Sequence, residues 1–216
     1  MYLNGKKVAF LGDSITEGVG VSSPFYSYTE VFSRITGAIV TNLGISGTRI
    51  ARQKTPSPEP KWDLCFLDRV DEISLDTDLV VVFGGTNDFG HGDAEFGCFQ
   101  DRDEYTFYGA LHSLFCRIIN RLPDARVVIM TPLHRLTEDY EINEYGKPRR
   151  LLIDYVEAIR KVAQYYSVPI LDLYSSCGLQ PANSVIKERY MPDGLHPNNR
   201  GAERIANVLA DFVKYI

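Results

Sequence analysis

Leu79-Val80-Val81-Val82-Phe83, followed by Gly84-Gly85-Thr86-Asn87-Asp88, is the stretch on which the fold turns. Five apolar residues, three of them β-branched, end abruptly at two glycines. The run is too short for a helix and does not alternate with polar residues. It predicts a strand buried on both faces, as in a parallel sheet covered by helices. Further strands read outward from it. Residues 8–11 end at Gly12, residues 38–43 at Gly44, residues 127–130 are stopped by Pro132, and residues 169–173 give a short fifth strand. Helical spacing fills the intervals. Phe25, Tyr28, Val31, Phe32 and Ile35 recur before Gly37. Phe107, Leu111, Leu114, Phe115, Ile118 and Leu122 line one stripe of a helix over 105–122. Leu152, Val156, Ile159, Ala163 and Tyr166 mark another helix, and Ile205, Leu209 and Phe212 the last. Strands alternating with helices predict an α/β chain with a parallel sheet and helices on both faces. Such sheets take ligands at the carboxyl ends of their strands, near the point where strand order reverses.

The 216 residues, 24.4 kDa, suit one domain over 1–216, with no internal repeat and no linker of domain-separating length. A folded monomer of that mass should expose roughly 10,000 Å². Hydrophobic residues at 44% and charged ones at 24% exclude a disordered, collagen-like or disulfide-scaffold chain. Twenty-eight acidic residues against 23 basic ones give a net charge of −5, which argues against nucleic acid or an anionic membrane as partner. Residues 8–11 are too few for a signal-peptide core, and no 18-residue apolar run exists. The expectation is a cytoplasmic protein that inserts in no membrane. Its cysteines, Cys65, Cys98, Cys116 and Cys177, are expected to be reduced and, lacking any Cys-x-x-Cys pair, to hold no zinc.

Chemistry-bearing residues cluster in the loops after the strands: Gly12-Asp13-Ser14-Ile15-Thr16-Glu17-Gly18, Asn42-Leu43-Gly44-Ile45-Ser46-Gly47, Gly84-Gly85-Thr86-Asn87-Asp88 and Pro192-Asp193-Gly194-Leu195-His196-Pro197-Asn198. Together they fit acyl transfer. A serine hydroxyl is a poor nucleophile until a base takes its proton, and histidine has a suitable pKa. Asp193 lies three residues before His196 in a turn bracketed by prolines, so its carboxylate can hold Nδ1 and leave Nε2 to face Ser14. The tetrahedral intermediate needs donors aimed at its oxyanion. The backbone amides of Ser14 and Gly47, with the side-chain amide of Asn87, can supply them.

These four blocks resemble those of the SGNH hydrolases, the esterase and lipase group also called the GDSL family. Block one stands as Gly12-Asp13-Ser14-Ile15, with isoleucine in the leucine position. The glycine block is Asn42 to Gly47, with Gly47 aligned to the oxyanion glycine. The asparagine block is Gly85-Thr86-Asn87-Asp88, and the Asp-x-x-His block Asp193-Gly194-Leu195-His196. They occur in order between residues 12 and 196. The resemblance implies a flavodoxin-like three-layer α/β/α sandwich with a five-stranded sheet. It also implies cofactor-free ester hydrolysis and substrates from lipids to acylated sugars. The Gly-x-Ser-x-Gly elbow of α/β-hydrolases is missing.

Blander readings compete. A serine between a strand and a helical turn often only caps the helix. Asp13 reads as a capping or turn residue and Asp88 as a holder of the Asn87 loop by local bonds. Gly44 sits at the strand end, too early for the oxyanion glycine. His112 lies within the long helix and reads as structural. His91, in Gly90-His91-Gly92-Asp93-Ala94-Glu95, could ligate metal but lacks a recognisable set of partners, so no metal is expected. His134 follows the fourth strand at the same sheet edge and is a candidate to line the substrate pocket.

Two long loops, 89–104 and 133–150, are candidates for pocket walls. The first carries Asp93, Glu95, Asp101, Asp103 and Glu104 among Phe89, Phe96 and Phe99. The second carries Arg135, Glu138, Asp139, Tyr140, Tyr145, Lys147, Arg149 and Arg150. Their mixed polar and aromatic character suits a polar alcohol such as a sugar better than a lipid surface. The reading is therefore a serine esterase for small-molecule acetyl or short acyl esters, needing no cofactor. A homo-oligomer stays open. Lysophospholipase or thioesterase activity is the nearest alternative. A non-enzymatic anion binder, with phosphate on the 12–18 loop, would leave Asp193 and His196 unused.

Overall fold

The computed structural model describes residues 2–143, 146 and 148–216. Five strands form one sheet: β1 (Lys7–Gly12), β2 (Ile39–Gly44), β3 (Leu79–Phe83), β4 (Arg126–Met130) and β5 (Ile170–Leu171). Their order is β2-β1-β3-β4-β5 and every pairing is parallel. The chain moves outward from β1 to β2, then returns across β1 to β3. The reversal leaves a crevice at the carboxyl ends of β1 and β3, where this architecture binds ligands.

Side-chain alternation along the strands builds two apolar layers. Val8, Phe10, Leu79, Val81, Phe83, Val128 and Met130 meet α2 (Tyr28–Thr36) and α9 (Asn199–Val213). Ala9, Leu11, Val80, Val82, Val127 and Ile129 meet α3 (Phe66–Arg69), α5 (Phe107–Arg121) and α6 (Leu152–Tyr165). The result is a three-layer α/β/α sandwich. It exposes 9638 Å², close to the expectation for a monomer of this mass. All six residues of the stripe from Phe107 to Leu122 are buried. At roughly 1.5–3 kcal/mol for each large apolar side chain, that stripe contributes on the order of 10 kcal/mol. No helix among the described residues is long and apolar enough to cross a membrane, and all four cysteines are free thiols.

The structure departs from the sequence reading at several ends. Phe25 lies outside α2, in a separate turn over Pro24–Tyr26, because Ser27 starts a new helix by accepting Glu30 N–H at 3.3 Å. Phe25 is exposed and packs on the Arg34 guanidinium instead, 3.8 Å from ring centre to Cζ. Ile35 is also exposed, at the helix end. β2 is an open edge strand, with Ile39 out in solvent. β5 pairs over two residues only, since Asp172 leaves the ladder to cap α7 (Leu173–Ser176), accepting from Ser175 N–H at 3.3 Å. Three more short helices, α1 (Ser14–Glu17), α4 (Thr86–His91) and α8 (Ser184–Tyr190), are too brief to show periodicity in the sequence.

Candidate active site

Ser14 opens α1 directly after β1. Asp13, not Ser14, caps that helix, accepting Ile15 N–H on Oδ1 at 3.0 Å. The serine hydroxyl is thereby free for other work, and it lies 3.0 Å from His196 Nε2. His196 Nδ1 lies 2.6 Å from Asp193 Oδ2. The other carboxylate oxygen, Oδ1, accepts the backbone N–H groups of Leu195 at 2.9 Å and His196 at 2.7 Å. One aspartate thus shapes the turn and orients the ring. Partial burial alone would raise the Asp193 carboxyl, but these hydrogen bonds win and hold it below the usual carboxylate range. Asp193 is therefore an anion at neutral pH, placed to accept a hydrogen carried on His196 Nδ1.

Gly47 lies across the crevice with φ +78°, a left-handed conformation that favours glycine. An added Cβ would stand 2.0 Å from Trp62 Cδ1, so the indole ring occupies the space a side chain would need. Asn87 sits in the first turn of α4 and donates through Nδ2 to Thr48 O at 3.0 Å, leaving its second amide hydrogen unused by that bond. Among the described residues, neither Ser14 N–H nor Gly47 N–H meets a protein acceptor. Gly44 belongs to β2, and a Cβ there would strike Glu17 N at 2.1 Å. Its role is to let α1 lie against the sheet.

Asp88 reaches further than a local loop holder. Its carboxylate accepts Ile50 N–H at 3.0 Å and Ala51 N–H at 2.9 Å, tying α4 to the chain just beyond Gly47. Burial lifts Asp88 to about 6 against these bonds. Burial likewise lifts Asp13 to about 7, opposed by its helix-capping bond and by the nearby positive charges of Arg69 and Arg135.

The other histidines are engaged elsewhere. His112 is fully buried between Tyr166 OH, 3.1 Å from Nδ1, and Phe99 O, 2.9 Å from Nε2. His91 stacks on Trp62 with ring centres 4.6 Å apart, and its Nδ1 lies 3.3 Å from Arg49 Nη1. Burial and the Arg49 and Arg135 charges push it down to about 4, so it stays neutral. Among the described residues no group of three or more His, Cys, Asp or Glu could hold a metal ion. His134 pairs through Nδ1 with Glu138 at 2.9 Å and packs on Tyr174, apart from the Ser14–His196–Asp193 chain of bonds.

The first long loop starts later than its sequence suggests, because residues 89–91 complete α4. Beyond them the two loops wall a cleft of about 480 Å³, with Asp93, Glu95 and Phe96 on one side and Pro148, Arg149 and Arg150 on the other. Tyr145 and Lys147 lie outside the described residues. Sequence reasoning missed Trp62, Arg49 and Arg69, all from the unread segment between β2 and β3. The one usable signal was that Trp62 is the only tryptophan in the chain.

Comparison with known proteins extends this geometry. A model of the GDSL-like Lipase/Acylhydrolase family matches residues 10–204. The chain is similar to an acetylxylan esterase of Xylanibacter ruminicola, 24% identical over 225 residues, with 96% of this chain and 43% of that protein covered. It thus spans less than half the length of that curated relative. A crystal structure of a Lactobacillus plantarum protein is 31% identical, covering 99% of this chain and 98% of the other, with a TM-score of 0.83. The lipase/acylhydrolase of Enterococcus faecalis shares the fold at 22% identity, covering 97% and 96%, with a TM-score of 0.68.

Proposed function

The chain belongs to the GDSL-like lipase/acylhydrolase family, and from that premise we propose that it is a serine esterase acting on acetyl and other short acyl esters of polar alcohols, carbohydrates among them. One observation carries the mechanism: the continuous chain Ser14 Oγ, His196 Nε2, His196 Nδ1, Asp193 Oδ2. In this reading His196 takes the Ser14 proton as the hydroxyl oxygen attacks the ester carbon. The developing oxyanion is received by the N–H groups of Ser14 and Gly47 and by Asn87. His196 then returns the proton to the leaving alcohol. Water, deprotonated in turn by His196, releases the acid and restores the hydroxyl. Asp193 keeps the ring in the tautomer both steps need.

The carbohydrate part of the reading draws support from the acetylxylan esterase relative. The mechanism is tested with a fluorophosphonate probe on the folded protein. Ser14 is the expected site of the adduct. An adduct elsewhere, or none on protein that hydrolyses p-nitrophenyl acetate, removes Ser14 as nucleophile.

A further inference from the structure

The three proposed oxyanion donors come from three separate stretches of chain, and one side chain reaches the frame of all of them. Arg69 ends α3, is 1% exposed, and holds its guanidinium 4.9 Å from the Phe66 ring centre. Nη2 donates to Gly12 O at 2.9 Å and to Thr48 Oγ1 at 3.1 Å, while Nη1 donates to Leu43 O at 2.6 Å. Gly12 precedes the Asp13 cap and Ser14. Thr48 follows Gly47, and its carbonyl accepts from Asn87 Nδ2. Thr48 Oγ1 in turn donates to Ile45 O at 2.7 Å, closing the turn that carries Gly47.

Burying a guanidinium is costly, and an apolar chain of similar size would fill this space more cheaply. The cost is not fully offset by local bonding. Among the described residues Arg69 Nε is buried without an acceptor, even though the other two nitrogens are well used. A rigid planar fork suits the task of fixing several acceptors at set angles, which a packing residue would not need. Catalysis by preorganised donors requires that kind of fixing, since the donors must already point at the oxyanion when charge develops.

We propose that Arg69 is a positioning residue of the oxyanion hole, its guanidinium fork setting the placement of the Ser14, Gly47 and Asn87 donors relative to one another. The proposal rests on the esterase reading above. It does not require Arg69 to touch substrate.

The test compares Arg69→Lys and the near-isosteric Thr48→Val with wild type. Active sites are counted by fluorophosphonate titration, and kcat per titrated site and KM are measured with p-nitrophenyl acetate. A lysine keeps the charge but cannot span the three acceptors. Turnover per site should fall at least about tenfold in Arg69→Lys and about three- to tenfold in Thr48→Val, with KM within about twofold in both. A residue that served stability alone would lower the number of titratable sites and leave turnover per site unchanged. That result in folded Arg69→Lys overturns the proposal. If Arg69→Lys yields no folded protein, unchanged turnover per site in Thr48→Val overturns it instead. A wild type that neither labels at Ser14 nor hydrolyses the ester puts the failure in the esterase reading, and the proposal falls with it.

Discussion

Replacing Gly47 by alanine should damage turnover by a route that can be followed atom by atom. At φ +78° an alanine carries a backbone penalty of roughly 1–2 kcal/mol that glycine escapes. The larger effect is steric. The new Cβ would lie 2.0 Å from Trp62 Cδ1 and 2.1 Å from Nε1, where ordinary contact needs about 3.5–4.0 Å. Ring or loop must therefore shift by roughly 1.5–2 Å. The ring cannot retreat easily. Its centre is 4.6 Å from that of His91, and the Trp62 carbonyl accepts Arg49 Nη2 at 3.2 Å. The loop is expected to give way, carrying Gly47 N–H off its aim. Loss of one oxyanion donor costs about 10²- to 10³-fold in kcat, or about 2.7–4 kcal/mol, with little change in KM.

The assay is kcat per titrated site on p-nitrophenyl acetate, with the emission of the single tryptophan recorded in parallel. Trp62→Ala serves as the control. In Gly47→Ala/Trp62→Ala the steric obstacle is gone, so activity should recover toward that control, short by the roughly tenfold that the backbone penalty allows. A Gly47→Ala protein with kcat within about threefold of wild type and unchanged emission would refute the placement of Gly47 in the oxyanion hole. Failure of the double variant to recover would show that φ, and not the indole, makes the position glycine.

Asn87→Ala should lower kcat by about 10²- to 10³-fold at nearly constant KM, and near-normal turnover would remove Asn87 from the site. Across p-nitrophenyl acetate, butyrate, octanoate and palmitate, kcat/KM should be high for the first two and poor for the others. A steady climb, near 0.8 kcal/mol per buried methylene, would reveal an acyl channel. Burial raises the Asp13 carboxyl from 3.8 to about 7, so its contribution to stability is complete below about pH 4 and is lost as pH rises through about 7. Asp13→Asn keeps a capping oxygen and should flatten part of the fall in urea midpoint from pH 5 to 8, Asp88 still titrating near 6; an unaltered slope would rule Asp13 out as its source.

Much of the architecture was legible because the buried strands and long helices advertise themselves by period. β3 and the Phe107–Leu122 stripe have no alternative reading in which their apolar residues stay out of water. The errors lie where a local signal met a tertiary one. Phe25 fits the helical spacing of α2, yet Pro24 and the Ser27 cap set it in a turn of its own. Ile39 stands in the second strand, yet it is exposed because β2 has a neighbour on one side only. The residues of the candidate site were legible for a different reason. Glycines, a serine, an asparagine and an Asp-x-x-His turn, each placed just after an apolar run, have little structural purpose together unless the sheet gathers them.

What the sequence concealed is the frame behind those residues. Arg69 stands in Asp68-Arg69-Val70-Asp71-Glu72, which looks like an ordinary solvated face, and nothing local marks it as buried. Its acceptors lie 21, 26 and 57 residues away. Asp88 looks like a helper of the adjacent Asn87, but it bonds backbone 37 and 38 residues distant. Such bonds have no period, so only the assembled sheet reveals them. Their placement also explains why buried charge is tolerated here. Asp13, Asp88 and Arg69 are each desolvated, and burial disfavours the charged form of all three. Each nevertheless binds backbone of a segment that carries a proposed oxyanion donor. Hydrogen bonds to charged groups are roughly twice as strong as neutral ones, so Arg69 and, above about pH 6, ionised Asp88 hold short glycine turns more rigidly than apolar contacts could, while Asp13 keeps a capping oxygen in either protonation state. On this argument the chain accepts lower stability around the crevice in return for donors that do not move.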